Sequence, residues 1–391
     1  MSAGLSRDDD RPNSNAFSRF LPSEKPREKH QTFLLGVLEG EGIGPDVIAS
    51  SLEVLRALES QSEHTFALEY GGEIGVKAKA QSGKPLPPTI IEWCRDIFSR
   101  GGAILNGPGG DRYVYDLRVQ FDLFCKFSPL RVSPALHNAT RLKPQFVRDL
   151  DILLVRENSS GFYQGASSNV VTDNGRRAEQ ICAYEESEVR RILEVAHNAA
   201  DARRKKLAVI IKEGGAPTLS QLWRDCADEM WRDSNIEYSF LNIDHAAYRL
   251  IQHPHEFDVI VAPNLFGDSL GDLGAVLLGS RGLSYSGNYD GHGAAVYQTN
   301  HGSGYDLVGK NLANPVGQIF SLSMMLRDFG LTKEADLIEN AVESVWQRGW
   351  RTFDLAENAN NQFVVGTRQM TSLIVHSLLE KARENSAVTV A

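Results

Sequence analysis

Short apolar runs along this chain alternate with longer stretches whose apolar residues recur at helical spacing. The run Phe33 to Leu38 reads as a strand that enters a glycine-rich loop, "GEGIGPD", and then a helix with Val47, Leu52 and Leu55 on one face. Pro45 suits the first turn of that helix, where its missing N–H leaves nothing unpaired. Further strands are predicted at "GGAILNG", "LDILLVRE", "KLAVIIKE", "EYSFLNI" and "FDVIVAP", with helices at "EESEVRRILEVAHNAADARRKK" and "TLSQLWRDCADEMWRD" between them. The alternation predicts an α/β fold with ligands at the C-terminal ends of strands. After residue 280 the chain reads as loop-rich before two closing helices, "VGQIFSLSMMLRDFG" and "EADLIENAVESVWQRG". Residues 1–32 are polar and charged, lack the apolar core of a secretory signal, and read as a flexible tail.

Composition narrows the function classes. A formal charge of −9 over 391 residues argues against nonspecific nucleic-acid binding and leaves room for a local basic pocket. The four cysteines are scattered without a CxxC pair, which speaks against structural zinc and for a reducing, cytoplasmic setting. No apolar run reaches membrane-spanning length.

Candidate chemistry gathers at strand ends. Asp268 and Asp272 in "NLFGDSLGDLGA" share one helix face, and their repulsion calls for a cation, either a metal or a group from elsewhere. Arg156 ends a strand, where it would grip a carboxylate or form a salt bridge; Tyr163 reads as a proton donor or a core residue. Lys212 follows a very apolar strand, where partial desolvation makes a lysine a usable base, unless it extends to solvent. Asp244 reads as a helix cap or, with Asp268 and Asp272, as a third oxygen ligand suited to Mg²⁺ or Mn²⁺. The loop from His301 to Pro315 is polar and rich in small residues; its Asp306 would accept from ribose hydroxyls and repel a 2′-phosphate. "GEGIGPD" lacks G-x-G-x-x-G spacing, so its glycines serve a phosphate or only a tight turn.

In their order, "GEGIGPDV", "LRVQFDLF", "VREN..GFYQG", "NIDHAAYRL", "NLFGDSLGD" and "HGSGYDLVGKNLANP" resemble the isocitrate and isopropylmalate dehydrogenases, from about Phe33 to about residue 380. The resemblance implies two α/β domains flanking a central cleft. The large, cofactor-binding domain would be discontinuous (33–123 and 280–391), and residues 124–279 would form the small dimerisation and substrate domain. It implies NAD- and Mg²⁺- or Mn²⁺-dependent oxidative decarboxylation of a small anionic 2-hydroxy acid by a homodimer, or a higher oligomer, with shared active sites. Metal ligands would be Asp244 (from the second subunit), Asp268 and Asp272, with Lys212 of that subunit as base and Tyr163 as proton donor. Arg118 and Arg156 would bind substrate carboxylates. His301, Gly302, Ser303, Asp306 and Asn314 would hold the cofactor, with Asp306 favouring NAD.

The sequence also departs from the family pattern. Where relatives carry Asn-Leu-Arg-Pro, this chain has Lys126-Phe127-Ser128-Pro129, so Ser128 stands in place of a substrate-binding arginine and Lys126 moves the charge two residues back. "DRYVYD" is short where relatives read the substrate's variable group, and offers Tyr113 and Tyr115 as an aromatic wall or Arg112 as an extra anion contact. Gln298-Thr299-Asn300 and Tyr305 change the cofactor loop. These departures point to a specialised substrate, a tartrate- or malate-type oxidation without obligatory decarboxylation, or a non-catalytic regulatory subunit. Retention of Tyr163, Lys212 and the three aspartates speaks against the regulatory subunit.

Overall fold

The computed structural model describes residues 16–22, 32–356 and 362–390. Ten of its strands form one mixed sheet in the order β2-β1-β3-β12-β11-β4-β5-β10-β8-β9. They are β1 (Thr32–Leu38), β2 (Thr65–Tyr70), β3 (Ala103–Asn106), β4 (Cys125–Arg131), β5 (Asp151–Glu157), β8 (Lys206–Ile211), β9 (Glu237–Asn242), β10 (Val259–Ala262), β11 (Tyr285–Tyr289) and β12 (Ala295–Thr299); β6 (Ser167–Thr172) and β7 (Gly175–Gln180) form a separate exposed hairpin. The helices are α1 (Gly44–Glu59), α2 (Gly75–Ser82), α3 (Pro88–Ser99), α4 (Tyr113–Gln120), α5 (Glu186–Asp201), α6 (Pro217–Met230), α7 (Ile243–Gln252), α8 (Asn264–Leu278), α9 (Val316–Asp328), α10 (Thr332–Gln347) and α11 (Thr367–Val390). No helix among the described residues is long and apolar enough to cross a membrane.

The sheet has two parallel halves joined through antiparallel strands. β4 lies in the middle, antiparallel to β11 on one side and to β5 on the other. The strands outward of β5 pair in parallel, as do β12, β3, β1 and β2. β5 and β10 are buried along almost their whole length, as parallel strands covered by helices on both faces require. Val47, Leu52 and Leu55 of α1 are buried, as their spacing predicts.

The stretch expected to be loop-rich after residue 280 contains β11 and β12. "YSGNY" has the composition of a turn, and only pairing with β4 and β12 makes it a strand, a tertiary effect that local propensity does not carry. "DRYVYD" likewise opens a helix, α4. Within the stretch read as a tail, residues 16–22 pack on the fold, with Ala16, Phe20 and Leu21 buried; residues 1–15 and 23–31 lie outside the described residues.

Candidate active site

α8 runs along β4 and β5, and its glycines set how close it comes. A Cβ on Gly267 would stand 2.8 Å from the Arg156 side chain, and one on Gly274 would stand 2.6 Å from Leu130. With hydrogens there, the helix settles onto the strands and presents Asp268 and Asp272 one turn apart. Asp268 is ion-paired to Arg156. It also accepts a hydrogen bond from the Tyr163 hydroxyl at 2.8 Å. Burial pushes the Asp268 carboxyl up, but Arg156 with Lys126 outweighs it and holds the carboxyl below its ordinary value. Burial, with the Asp268 charge, pushes the Tyr163 phenol up, so its proton stays in place. The cation that the aspartate pair calls for is therefore supplied by the protein in part: Arg156 meets Asp268, and Arg281, just past the helix, meets Asp272 at 3.1 Å.

Around this pair lies more positive charge than the protein neutralises. Arg118, on α4, and Lys126, on β4, are 4% and 6% exposed. Lys126 stands opposite Arg156 on β5 and Asn288 on β11. Among the described residues neither Arg118 nor Lys126 has a hydrogen-bond or ion-pair partner, and the Arg118 Nε is buried without an acceptor. Burial, reinforced by Arg118 and Arg156, drives the Lys126 ammonium well below its usual range; burial and then Arg156 bring Arg118 to about 10. Unpaired buried cations are costly unless an anion joins them. Ser128, on the same face of β4 as Lys126, is buried and accepts from Asn300 at 3.3 Å, so two of the departures from the family pattern touch each other.

Tyr113 and Tyr115 take different places. Tyr113 is buried and joins Asn106 and the Gly107 carbonyl, with Gln298 bonded to the same Asn106 amide; it forms no wall. The Tyr115 ring packs on Tyr163 at 5.0 Å with Arg118 over it. Arg112 donates to the Tyr163 carbonyl at 3.3 Å. Asn264, the first residue of α8, went without a role in the sequence reading. Its Oδ1 accepts from Arg156 Nε at 3.1 Å and Nη2 at 2.7 Å, and its Nδ2 donates to Ser160 O at 2.8 Å. It aims the guanidinium, and only its position after a buried strand signals this in the sequence.

Lys212 and Asp244 sit together, with Nζ 2.6 Å from Oδ1, at the ends of β8 and β9. Asp244 lies in the first turn of α7 and is not its cap. Among the described residues no group of three or more His, Cys, Asp or Glu residues could hold a metal ion, so Asp268 and Asp272 are two hard oxygen donors without a third from their own chain. They fit half of a divalent-cation site.

The His301–Asn314 loop abuts the glycine-rich turn. Gly42 (φ +63°) leaves room for the Ser303 carbonyl, which accepts from the Ile43 N–H at 2.8 Å, so the turn serves this close approach. His301 Nε2 and Ser303 Oγ are buried without partners, the kind of orphaned polar atoms a bound cofactor would satisfy. Gly302 and Asp306 are exposed. Asn314 is engaged within the protein, donating to Asp354 and accepting from the Val316 N–H at the start of α9. Tyr305 and the amides of Val76, Lys77 and Gly110 all donate to Glu41.

Glu157, beside Arg156, is fully buried, and burial pushes its carboxyl from 4.5 up to about 7 despite hydrogen bonds from the Ser159 and Ser160 amides. The folded state therefore binds this proton more tightly than the unfolded chain. Its contribution to stability is fully present below pH 4.5 and is lost as pH rises through 7. Urea denaturation at pH 5 and at pH 8 is expected to show the loss, and Glu157→Gln is expected to flatten it.

Fold and site together define an α/β protein whose cleft sets two carboxylates of one helix against an excess of buried positive charge. The family model for isocitrate/isopropylmalate dehydrogenase matches residues 34–374. The chain is 35% identical over 370 residues to 3-isopropylmalate dehydrogenase of Geobacillus kaustophilus, covering 92% of this chain and 99% of that one. It is 38% identical over 355 residues to the same enzyme of Pseudomonas syringae pv. syringae, covering 88% and 98%. The isocitrate dehydrogenase structure from Methylococcus capsulatus superimposes with a TM-score of 0.78 at 29% identity, covering 89% of this chain and 99% of that one. The chain belongs to the isocitrate/isopropylmalate dehydrogenase family, the NAD(P)-dependent β-decarboxylating dehydrogenases.

Proposed function

We propose that this protein oxidatively decarboxylates a specialised 2-hydroxy acid with a carboxylate on the neighbouring carbon, using NAD and Mg²⁺ or Mn²⁺. The observation that carries this reading is the pair of buried cations Arg118 and Lys126, neither held by an anion among the described residues, converging with Arg156 beside Tyr163 and Asp268. Such a pocket favours a small, multiply charged anion and holds its carboxylates in a reactive pose.

Asp268 and Asp272 would hold the divalent cation, with Asp244 contributed by a second copy of the chain in a homodimer. His301, Gly302, Ser303 and Asp306 would hold NAD, whose ribose hydroxyls suit the exposed Asp306 carboxylate; Asn314 would support that loop from behind. When bound, the cation polarises the substrate oxygens and the nicotinamide accepts hydride. Lys212 of the second copy takes the hydroxyl proton, and Tyr163, kept protonated beside Asp268, returns a proton to the enolate carbon left by loss of CO₂. Arg118, Lys126 and Arg156 hold the carboxylates throughout. We assign residues 33–123 with 280–391 to one domain and 124–279 to the other, meeting where β11 pairs with β4. Four free thiols fit a cytoplasmic setting.

A second reading, oxidation without obligatory decarboxylation of a tartrate- or malate-type acid, is favoured by Ser128, which is buried, uncharged and held by Asn300. A panel of 2-hydroxy diacids with NAD or NADP and Mn²⁺ decides between them. NADH with CO₂ is expected, and NADH alone would select the second reading. The absence of turnover and of Mn²⁺ binding would overturn both.

A further inference from the structure

We propose that residues 16–22 are a brace that fixes β4 from behind and so positions Lys126 and Ser128 on its cleft face. The segment precedes the span matched by the family model, which begins at residue 34.

Its docking is specific. The amides of Phe17 and Ser18 both donate to Asp328 Oδ1, at 2.8 and 3.0 Å. The other oxygen of Asp328 accepts from the hydroxyls of Tyr289 and Tyr297, each at 2.6 Å. Asp328 is 3% exposed and is the last residue of α9, where the helix dipole disfavours a carboxylate. Such a group is tolerable only with its acceptor sites filled, and the N-terminal segment fills those of Oδ1.

The rings complete the circuit. Phe17 and Phe20 pack on Phe127 at 5.8 and 5.9 Å, and Phe127 packs on Tyr289 at 5.5 Å. Phe127 lies between Lys126 and Ser128, and successive strand residues point to opposite faces. The same strand thus carries the brace's seat on one side and the two departures from the family pattern on the other. On the far flank the Phe20 carbonyl accepts from Asn198 of α5 at 3.1 Å. A seven-residue segment therefore ties α9, α5 and β4 together at the junction of the sheet's two halves.

Phe17, Phe20 and Asp328 act through β4 and are positioning residues. The functional meaning of the brace rests on the cleft reading above, but its existence does not. In the full-length protein, Phe17→Ala with Phe20→Ala is expected to speed amide exchange in residues 125–131 at least ~10-fold, leaving β2 and α3 unchanged, by releasing the strand locally. It is also expected to weaken binding of oxalate, a compact dianion used as probe, at least ~5-fold by calorimetry. Ser18→Pro, which removes one amide donor to Asp328, is expected to act in the same direction and serves if the double variant does not fold. Phe363→Ala, at the remote Trp350–Phe363 contact, is the control and should alter neither readout. Unchanged exchange in β4 would overturn the brace, and faster exchange with unchanged oxalate affinity would overturn its positioning role. Failure of the unaltered protein to bind oxalate counts against the cleft reading, and the brace is then decided by the exchange rates alone.

Discussion

Asp268→Asn is expected to lower turnover by about 10³-fold, the consequence of removing several kcal/mol of charge stabilisation at a divalent-cation site. The substitution keeps the shape of the side chain and leaves an amide oxygen able to accept from Tyr163, which now donates at 2.8 Å. What it removes is one of the two carboxylates on the α8 face and the negative partner of Arg156. Arg156 is buried and would keep only Asn264, so a loss of stability is expected as well, and turnover is to be compared at equal folded fraction. Calorimetric titration with Mn²⁺ is expected to show loss of binding. A variant that kept both Mn²⁺ affinity and turnover would remove Asp268 from the cation site.

Tyr163→Phe is expected to lower turnover by about 10²- to 10⁴-fold, the usual range for loss of a positioned proton donor. The ring contact with Tyr115 persists in the variant, so the cleft wall stays in place. Burial and the neighbouring Asp268 carboxylate raise the phenol, so the wild-type rate is not expected to fall through tyrosine ionisation up to about pH 10. Single-turnover measurement separates the steps: NADH formation is expected to survive better than release of the protonated ketone product. A variant with unaltered product release would assign the proton to another group.

The sequence carried the outline because its strongest signals are local. Buried parallel strands such as β5 and β10 are continuous apolar runs, and α1 and α8 announce themselves by spacing and by what precedes them. Asp268, Arg156 and Tyr163, named from three separate stretches, lie together, while Lys212 and Asp244 form a pair of their own. What stayed illegible depends on pairing across the chain. β11 is a strand only because β4 and β12 flank it, Tyr113 is removed from the cleft by Asn106, and Asn264 acquires its partner only once α8 is laid against β5. The docking of residues 16–22 is of the same kind, since its acceptor, Asp328, lies more than three hundred positions away in a helix whose sequence reads as ordinary.

The glycines beneath α8 bear on how such a cleft changes over evolutionary time. A helix held against strands by the absence of side chains has no adjustable contact to trim: any substitution at Gly267 or Gly274 meets Arg156 or Leu130 and pushes the carboxylates away from the arginine. Drift is therefore channelled to positions beside the seats of the helix. There, exchanges such as those at Lys126 and Ser128 redraw the charge pattern facing the ligand without moving the helix. Selection for a new substrate is expected to rewrite β4 and α4 first and to leave the register of α8 as the inherited constant.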